Sequence, residues 1–188
     1  MKKKSFSLSS ILFVVCLVLL IVPQTRKPIQ VALNTLRVAV WSPGVLDTKK
    51  QTQLPPFTYK VRTLDGTPLE ADIGKGTVTF ISYWATWCPP CIAELPSIQK
   101  LYDAYGDRVQ FLLITNETPE VVQRFLDQKN YDLPVVFPRM QPPKALFERS
   151  IPTNYLIGQS GSILIKEKGA SNWNSPSIRK VLEELVGE

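Results

Sequence analysis

Apolar residues mass first near the N-terminus. An almost unbroken run from Ile11 to Val22, extended back through Leu8 and Phe6, spans 17 residues from Phe6, near the lower limit for a helix that crosses a bilayer. Beyond it the pattern turns periodic. Ile29, Leu33, Leu36 and Val40 recur at helical spacing, which reads as a short helix against a membrane or a domain, and equally as a spacer. Trp41 to Pro56, with Pro43-Gly44 and Pro55-Pro56, reads as a linker. From Phe57 to Arg62 the chain alternates and runs into Asp65-Gly66, a hairpin signal. Val78–Tyr83 and Val109–Thr115 are short apolar strands separated by a helix over about Pro90–Tyr105. Thr118 and Pro119 open a further helix with Val121, Val122, Phe125 and Leu126 on one face. Leu133–Phe137 is a strand and Pro142–Arg149 a short helix. Thr153–Ile157 and Ile163–Lys168 flank a turn at Gly158–Ser162, and Ile178, Leu182 and Leu185 mark a final helix.

That order is a hairpin, then β-α-β-α-β, then β-β-α. Early alternation with a late hairpin predicts an α/β domain over residues 57–188: a mixed central sheet with helices on both faces, an N-terminal β-hairpin and a central insertion. The remaining chain divides into a signal anchor or transmembrane segment at 1–25 and a juxtamembrane helix and linker at 26–56.

Charge sharpens this division. The net charge of +6 comes from one end, since residues 1–46 hold Lys2, Lys3, Lys4, Arg26, Lys27 and Arg37 and no acid. The rest is balanced, with no basic stripe to neutralise a phosphate backbone, so nucleic acid is not an expected partner. Pro23-Gln24-Thr25-Arg26-Lys27 after the apolar run offers no small-residue cleavage site, and Val14-Val15 ahead of Cys16 lacks the small residue of a lipoprotein signal. An uncleaved single-pass anchor is favoured over a cleaved signal peptide. Lys2–Lys4 would stay inside and the domain would face the periplasm or cell exterior from a bacterial inner membrane.

The chain has no histidine, which removes histidine triads, histidine metal ligands and imidazole acid–base work. The chemistry that remains centres on Trp84-Ala85-Thr86-Trp87-Cys88-Pro89-Pro90-Cys91, where a strand hands over to a helix. A cysteine at a helix start meets unpaired N–H groups and the positive end of the dipole, which favour a thiolate. Cys91, nearly one turn on, faces the same side. Pro89 and Pro90 stiffen the turn and remove N–H groups that would be unpaired anyway. Rival readings are a zinc knuckle, a copper relay and an inert staple. The first wants four ligands, the second a histidine, and close cysteines make poor staples.

Together with Glu94-Leu95-Pro96 and Ile151-Pro152-Thr153, the cysteine motif resembles the TlpA/ResA-like thiol–disulfide oxidoreductases, membrane-anchored or exported members of the thioredoxin superfamily. The likeness covers about residues 57–186. It implies a thioredoxin fold, a redox-active Cys88–Cys91 disulfide with Cys88 as exposed nucleophile and Cys91 as resolving thiol, and a cis Ile151–Pro152 bond beside it. Trp87, Pro89, Pro90, Ile151 and Pro152 would form the client-facing surface. Glu94 would be a partly buried carboxylate that moves protons, in place of the solvated acid that a helix start also favours. Ser82 stands where thioredoxin has a buried aspartate, and Asn154 where relatives often have threonine. The implied activity is disulfide exchange on exported client proteins, in the direction of a reductase, with electrons from a membrane thiol donor and with no metal or organic cofactor. The alternative is a client-binding module or metal-relay protein with little redox turnover.

Overall fold

A computed structural model describes residues 8–187, with the side chains of Cys16, Leu20, Ile21 and Pro23 outside the described set. The expectations for Lys2–Lys4 and Phe6 therefore lie outside the described residues. Helices α1 (Leu8–Ile21) and α2 (Pro23–Val40) precede strands β1 (Phe57–Thr63), β2 (Pro68–Ile73) and β3 (Thr79–Tyr83). Then follow α3 (Pro89–Tyr105), β4 (Gln110–Ile114), α4 (Pro119–Lys129), β5 (Val135–Pro138), β6 (Thr153–Ile157), β7 (Ile163–Lys168) and α5 (Pro176–Val186).

The seven strands form one sheet in the order β2-β1-β5-β4-β3-β6-β7. β3, β4 and β5 run parallel; β1–β2, β1–β5, β3–β6 and β6–β7 are antiparallel. The sheet is mixed and flanked by helices, with the expected hairpin at β1–β2, but the helices share one face. The connections β3→β4→β5 step in one direction across the sheet, and right-handed crossovers then place α3 and α4 on the same side. Their Leu95, Ile98, Leu101, Val122 and Leu126 join Ile178 and Leu182 of α5 in one cluster with Phe80 and Trp173. The opposite face, with Tyr59, Ile81, Leu112 and Tyr155, is covered by Leu46, Leu54 and Leu146.

Three expectations change. Pro142–Arg149 carries only a 3₁₀ turn at Lys144–Leu146, after which Phe147 is extended (φ −80°, ψ 114°). Thr118 occupies the N-cap of α4 but its side chain makes no capping bond; its carbonyl accepts from Val121 and Val122. The Trp41–Pro56 linker is stitched down. Leu46 N donates to Leu164 O at 2.8 Å, Ile163 N to Thr52 O at 2.9 Å and Leu54 N to Gly161 O at 3.0 Å. Gly161 (φ +93°) is required there, because a Cβ would lie 2.7 Å from Leu54 O.

α2 begins at Pro23, earlier than the apolar spacing indicates, and docks on the domain. Val38 packs with Ala93 of α3 and Ala170, with Val31 beside them. Arg37 lies 3.9 Å from Glu167, Trp41 Nε1 donates to the same carboxylate at 3.2 Å, and Asn172 N donates to Trp41 O at 2.9 Å. No single helix is long and apolar enough to cross a membrane among the described residues; α1 and α2 meet that test only as a pair, bent by 89°.

Candidate active site

Cys88 is the N-cap of α3, in extended conformation (φ −91°, ψ 104°). It is joined to Cys91 by a disulfide with S–S 2.12 Å and Cα–Cα 5.2 Å. Cys91 N donates to Cys88 Sγ at 3.3 Å, so the helix terminus directs an unpaired N–H at the sulfur, as the spacing indicates. The loop ahead is pinned by Glu117, whose carboxylate accepts from Thr86 N at 2.6 Å and Thr86 Oγ1 at 2.7 Å. Exposure differs from the implied picture: Cys88 is 3% exposed and Cys91 0%. Both belong to the apolar cluster under α3 against which Ile151 packs. It is Trp87, 58% exposed, that stands out into solvent.

Behind the disulfide lies Glu94, 1% exposed and therefore not a solvated helix-end charge. It sits one turn beyond Cys91 on α3, where Cβ atoms are about 5–6 Å apart. Asn154 Nδ2 donates to its Oε1 at 2.9 Å and Ser171 N to its Oε2 at 3.2 Å. No cation compensates. Burial pushes the Glu94 carboxyl up to about 8, the Glu167 charge adding to it, while the Asn154, Ser171 and Trp173 donors oppose the rise. Asn154 is the register partner of Ser82 across β3–β6. Ser82 Oγ and Asn154 Oδ1 are buried without a hydrogen-bond partner among the described residues. Buried polar side chains thus run from α3 into the sheet, through Asn154 to Ser82.

A cleft of about 590 Å³, which neither cysteine lines, is walled by Trp84, Trp87, Glu117, Glu148 and Ile151, with Tyr59 and Tyr83 among its other walls. The Ile151–Pro152 bond is cis and Pro152 is buried. Of the residues expected to face a client, Trp87 and Ile151 line this cleft, whereas Pro89, Pro90 and Pro152 do not. Glu148 is bound by Lys166 Nζ at 2.5 Å and Lys168 Nζ at 2.9 Å, which hold its carboxyl below the usual range. Among the described residues no group of three or more histidine, cysteine, aspartate and glutamate side chains is placed to hold a metal ion.

Residues 51–164 match the model of the AhpC/TSA family. The chain belongs to the AhpC/TSA family. Within that family it is a thiol–disulfide oxidoreductase. It is 26% identical over 145 residues to Sporulation thiol-disulfide oxidoreductase A of Bacillus subtilis, covering 74% of this chain and 87% of that protein. It is 32% identical over 109 residues to Thiol-disulfide oxidoreductase ResA of Halalkalibacterium halodurans, covering 56% of this chain and 62% of the relative, so the match spans just under two thirds of that protein's length. The crystal structure of StoA from Bacillus subtilis superposes with a TM-score of 0.53 at 26% identity, covering 70% of this chain and 97% of that one. The exposed lipoprotein thioredoxin of Streptococcus pneumoniae shares the fold at 24% identity and a TM-score of 0.54.

Sequence reasoning singled out Asn154 without a role, and missed Glu117 and Glu148. Asn154 had a signal: it interrupts a short strand that is buried on both faces, so a polar side chain there needs a buried partner. Glu117 had none, since it meets Thr86 across 31 residues of chain.

Proposed function

We propose that the protein reduces disulfides of exported client proteins at the outer face of a bacterial inner membrane. Residues 1–25 serve as its anchor, residues 26–56 as a mount, and Cys88 and Cys91 as its redox pair. The Cys88 thiolate attacks one sulfur of a client disulfide, forming a mixed disulfide and releasing the other client sulfur as a thiolate that takes up a proton. Cys91 then loses its proton and attacks Cys88 Sγ. The second client thiol leaves, and the protein is left with the Cys88–Cys91 disulfide. Two electrons from a membrane thiol donor restore the dithiol.

One observation carries the reading: Cys88 caps α3 with an N–H aimed at its sulfur, an arrangement that stabilises a thiolate at the position that must attack. Glu94 supports the second step. A carboxyl with its pKa near 8 is partly ionised at neutral pH, so it both accepts the Cys91 proton and returns it. Trp87 and Ile151, on the cleft beside the disulfide, are placed to hold a client segment. Because Cys88 is nearly covered, access is selective and favours a client shaped to that cleft over a bulky general substrate.

The test is the reduction potential of the Cys88/Cys91 couple, with turnover of a small disulfide in the presence of a dithiol. A potential near that of thioredoxin, about −270 mV, supports a reductase; one near about −120 mV makes the protein an oxidant and overturns the direction proposed. Failure to cycle between dithiol and disulfide would leave a binding module.

A further inference from the structure

α2 carries two apolar stripes, and the domain uses only one. At 100° per residue, Ile29, Leu33, Leu36 and Val40 fall within about 60° of arc, while Val31 and Val38 lie about 180° away. The second pair faces the domain: Val38 is buried against Ala93 and Ala170. The first stripe is left outside, with Leu33 62%, Leu36 67% and Val40 85% exposed, followed by Trp41 at 53%. A helix of one globular domain turns its apolar stripe inward and its polar face out; here the outward stripe has no partner among the described residues.

Two features indicate what covers it. The stripe is continuous with an apolar helix, because α1 joins α2 at an 89° bend and exposes Leu12, Phe13 and Val18 among others. A helix standing in a bilayer and followed by a right-angle turn lays the next helix along the surface. The charge also fits: Arg26 borders the stripe on one side by the same helical arithmetic, Arg37 beside it turning to Glu167 of the domain, and residues 1–46 contain no acid. An exposed apolar stripe beside a cation, on a helix without acids, suits the boundary between acyl chains and anionic headgroups.

We infer that α2 is an interfacial helix, its Leu33–Leu36–Val40 stripe seated in an anionic lipid surface and its Val31–Val38 stripe holding the redox domain by α3. This rests on the anchored reading above. It fixes how the domain stands, since α3 then lies about one helix spacing, 8–10 Å, above α2.

The full chain reconstituted in phosphatidylethanolamine/phosphatidylglycerol vesicles, with a phospholipid bearing a diazirine in its upper acyl chain, provides the test. After photolysis, peptide mass spectrometry should find lipid adducts at Leu33, Leu36 and Val40 and not at Val31 or Thr35. In the Leu33→Glu/Leu36→Glu chain the α2 adducts should be lost while those on α1 persist. Adducts on α1 alone in the unaltered chain overturn this inference and leave the anchor standing. Adducts on neither helix overturn both. Cross-links between copies through Leu33 or Leu36 without lipid adducts overturn it in favour of a second copy of the chain. Disulfide turnover in the same vesicles reports separately on the redox reading.

Discussion

Glu94, one turn beyond Cys91, and Glu148, on the cleft that Trp87 also lines, differ in burial and in whether a cation reaches the carboxyl. Glu148 is held by two ammonium groups, and its carboxyl is pulled down. Glu94 receives two neutral donors and no cation, and its carboxyl is pushed up to about 8. At fully buried Glu94 the neutral hydrogen bonds do not offset the loss of hydration; at Glu148, which loses far less hydration, two ammonium partners outweigh it. On the proposed mechanism the Glu148 carboxylate is a fixed charge on the cleft wall, and the Glu94 carboxyl is the proton store beside Cys91.

The strongest test of this division removes each sulfur. Cys88→Ser and Cys91→Ser should both reduce turnover to background, but only Cys91→Ser, which leaves the Cys88 thiol, should trap client in a mixed disulfide on a non-reducing gel. Trapping by Cys88→Ser instead would reverse the two roles. Next, Glu94→Gln should slow resolution by about 100-fold near pH 7. The wild-type rate should rise with pH toward about 8, where Glu94 ionises, and the variant should lack that inflection. Superimposable stopped-flow profiles would leave Glu94 without a part in proton transfer.

Stability gives a separate measure of the same group. Its folded pKa lies above the ordinary carboxyl value of 4.5, so the folded state binds more protons between the two values. The stabilisation from protonation is complete below about pH 4.5 and is lost as pH rises through about 8. Denaturant unfolding of the oxidised protein should show the wild type losing on the order of a few kcal/mol relative to Glu94→Gln across that window; parallel curves would contradict the assignment. A smaller effect is expected from Asn154→Ala. Losing the Nδ2 donor removes an opposing influence, so the Glu94 inflection should move further up, by about one pH unit or less. Smallest of all, Lys168→Met should cost no more than about 1 kcal/mol, because Lys166 still pairs with Glu148.

Much of the fold was legible because each strand and helix carries its own period. Phe57–Arg62, Val78–Tyr83 and Thr153–Ile157 declare themselves by alternation or by apolar run, and Cys88 sits at the helix start that its prolines announce. The errors have another character. Spacing shows that Ile29, Leu33, Leu36 and Val40 share a face, but not that Val31 and Val38 occupy the dock; that depends on Ala93 and Ala170, far along the chain. Placing helices on both sheet faces failed because sidedness follows from strand order, which local pattern does not encode. At the site, residue types located the cysteines and Glu94, whereas the Glu94–Asn154 bond joins residues 60 positions apart and emerges only when β6 is laid beside β3.

The stitching of residues 41–56 to the β6–β7 hairpin has a consequence for how the domain searches for partners. Sixteen flexible residues would form a tether with a root-mean-square reach of about 20–25 Å, letting the domain roam and tumble above its attachment point. Hydrogen bonds at Leu46, Thr52 and Leu54 take that slack away. What would have been a tethered ligand with a broad cloud of effective concentration becomes a mounted one, with high local concentration in a narrow zone and almost none elsewhere. On the anchored reading proposed above, a donor or client would have to bring its sulfur to that zone, and reach would become part of specificity.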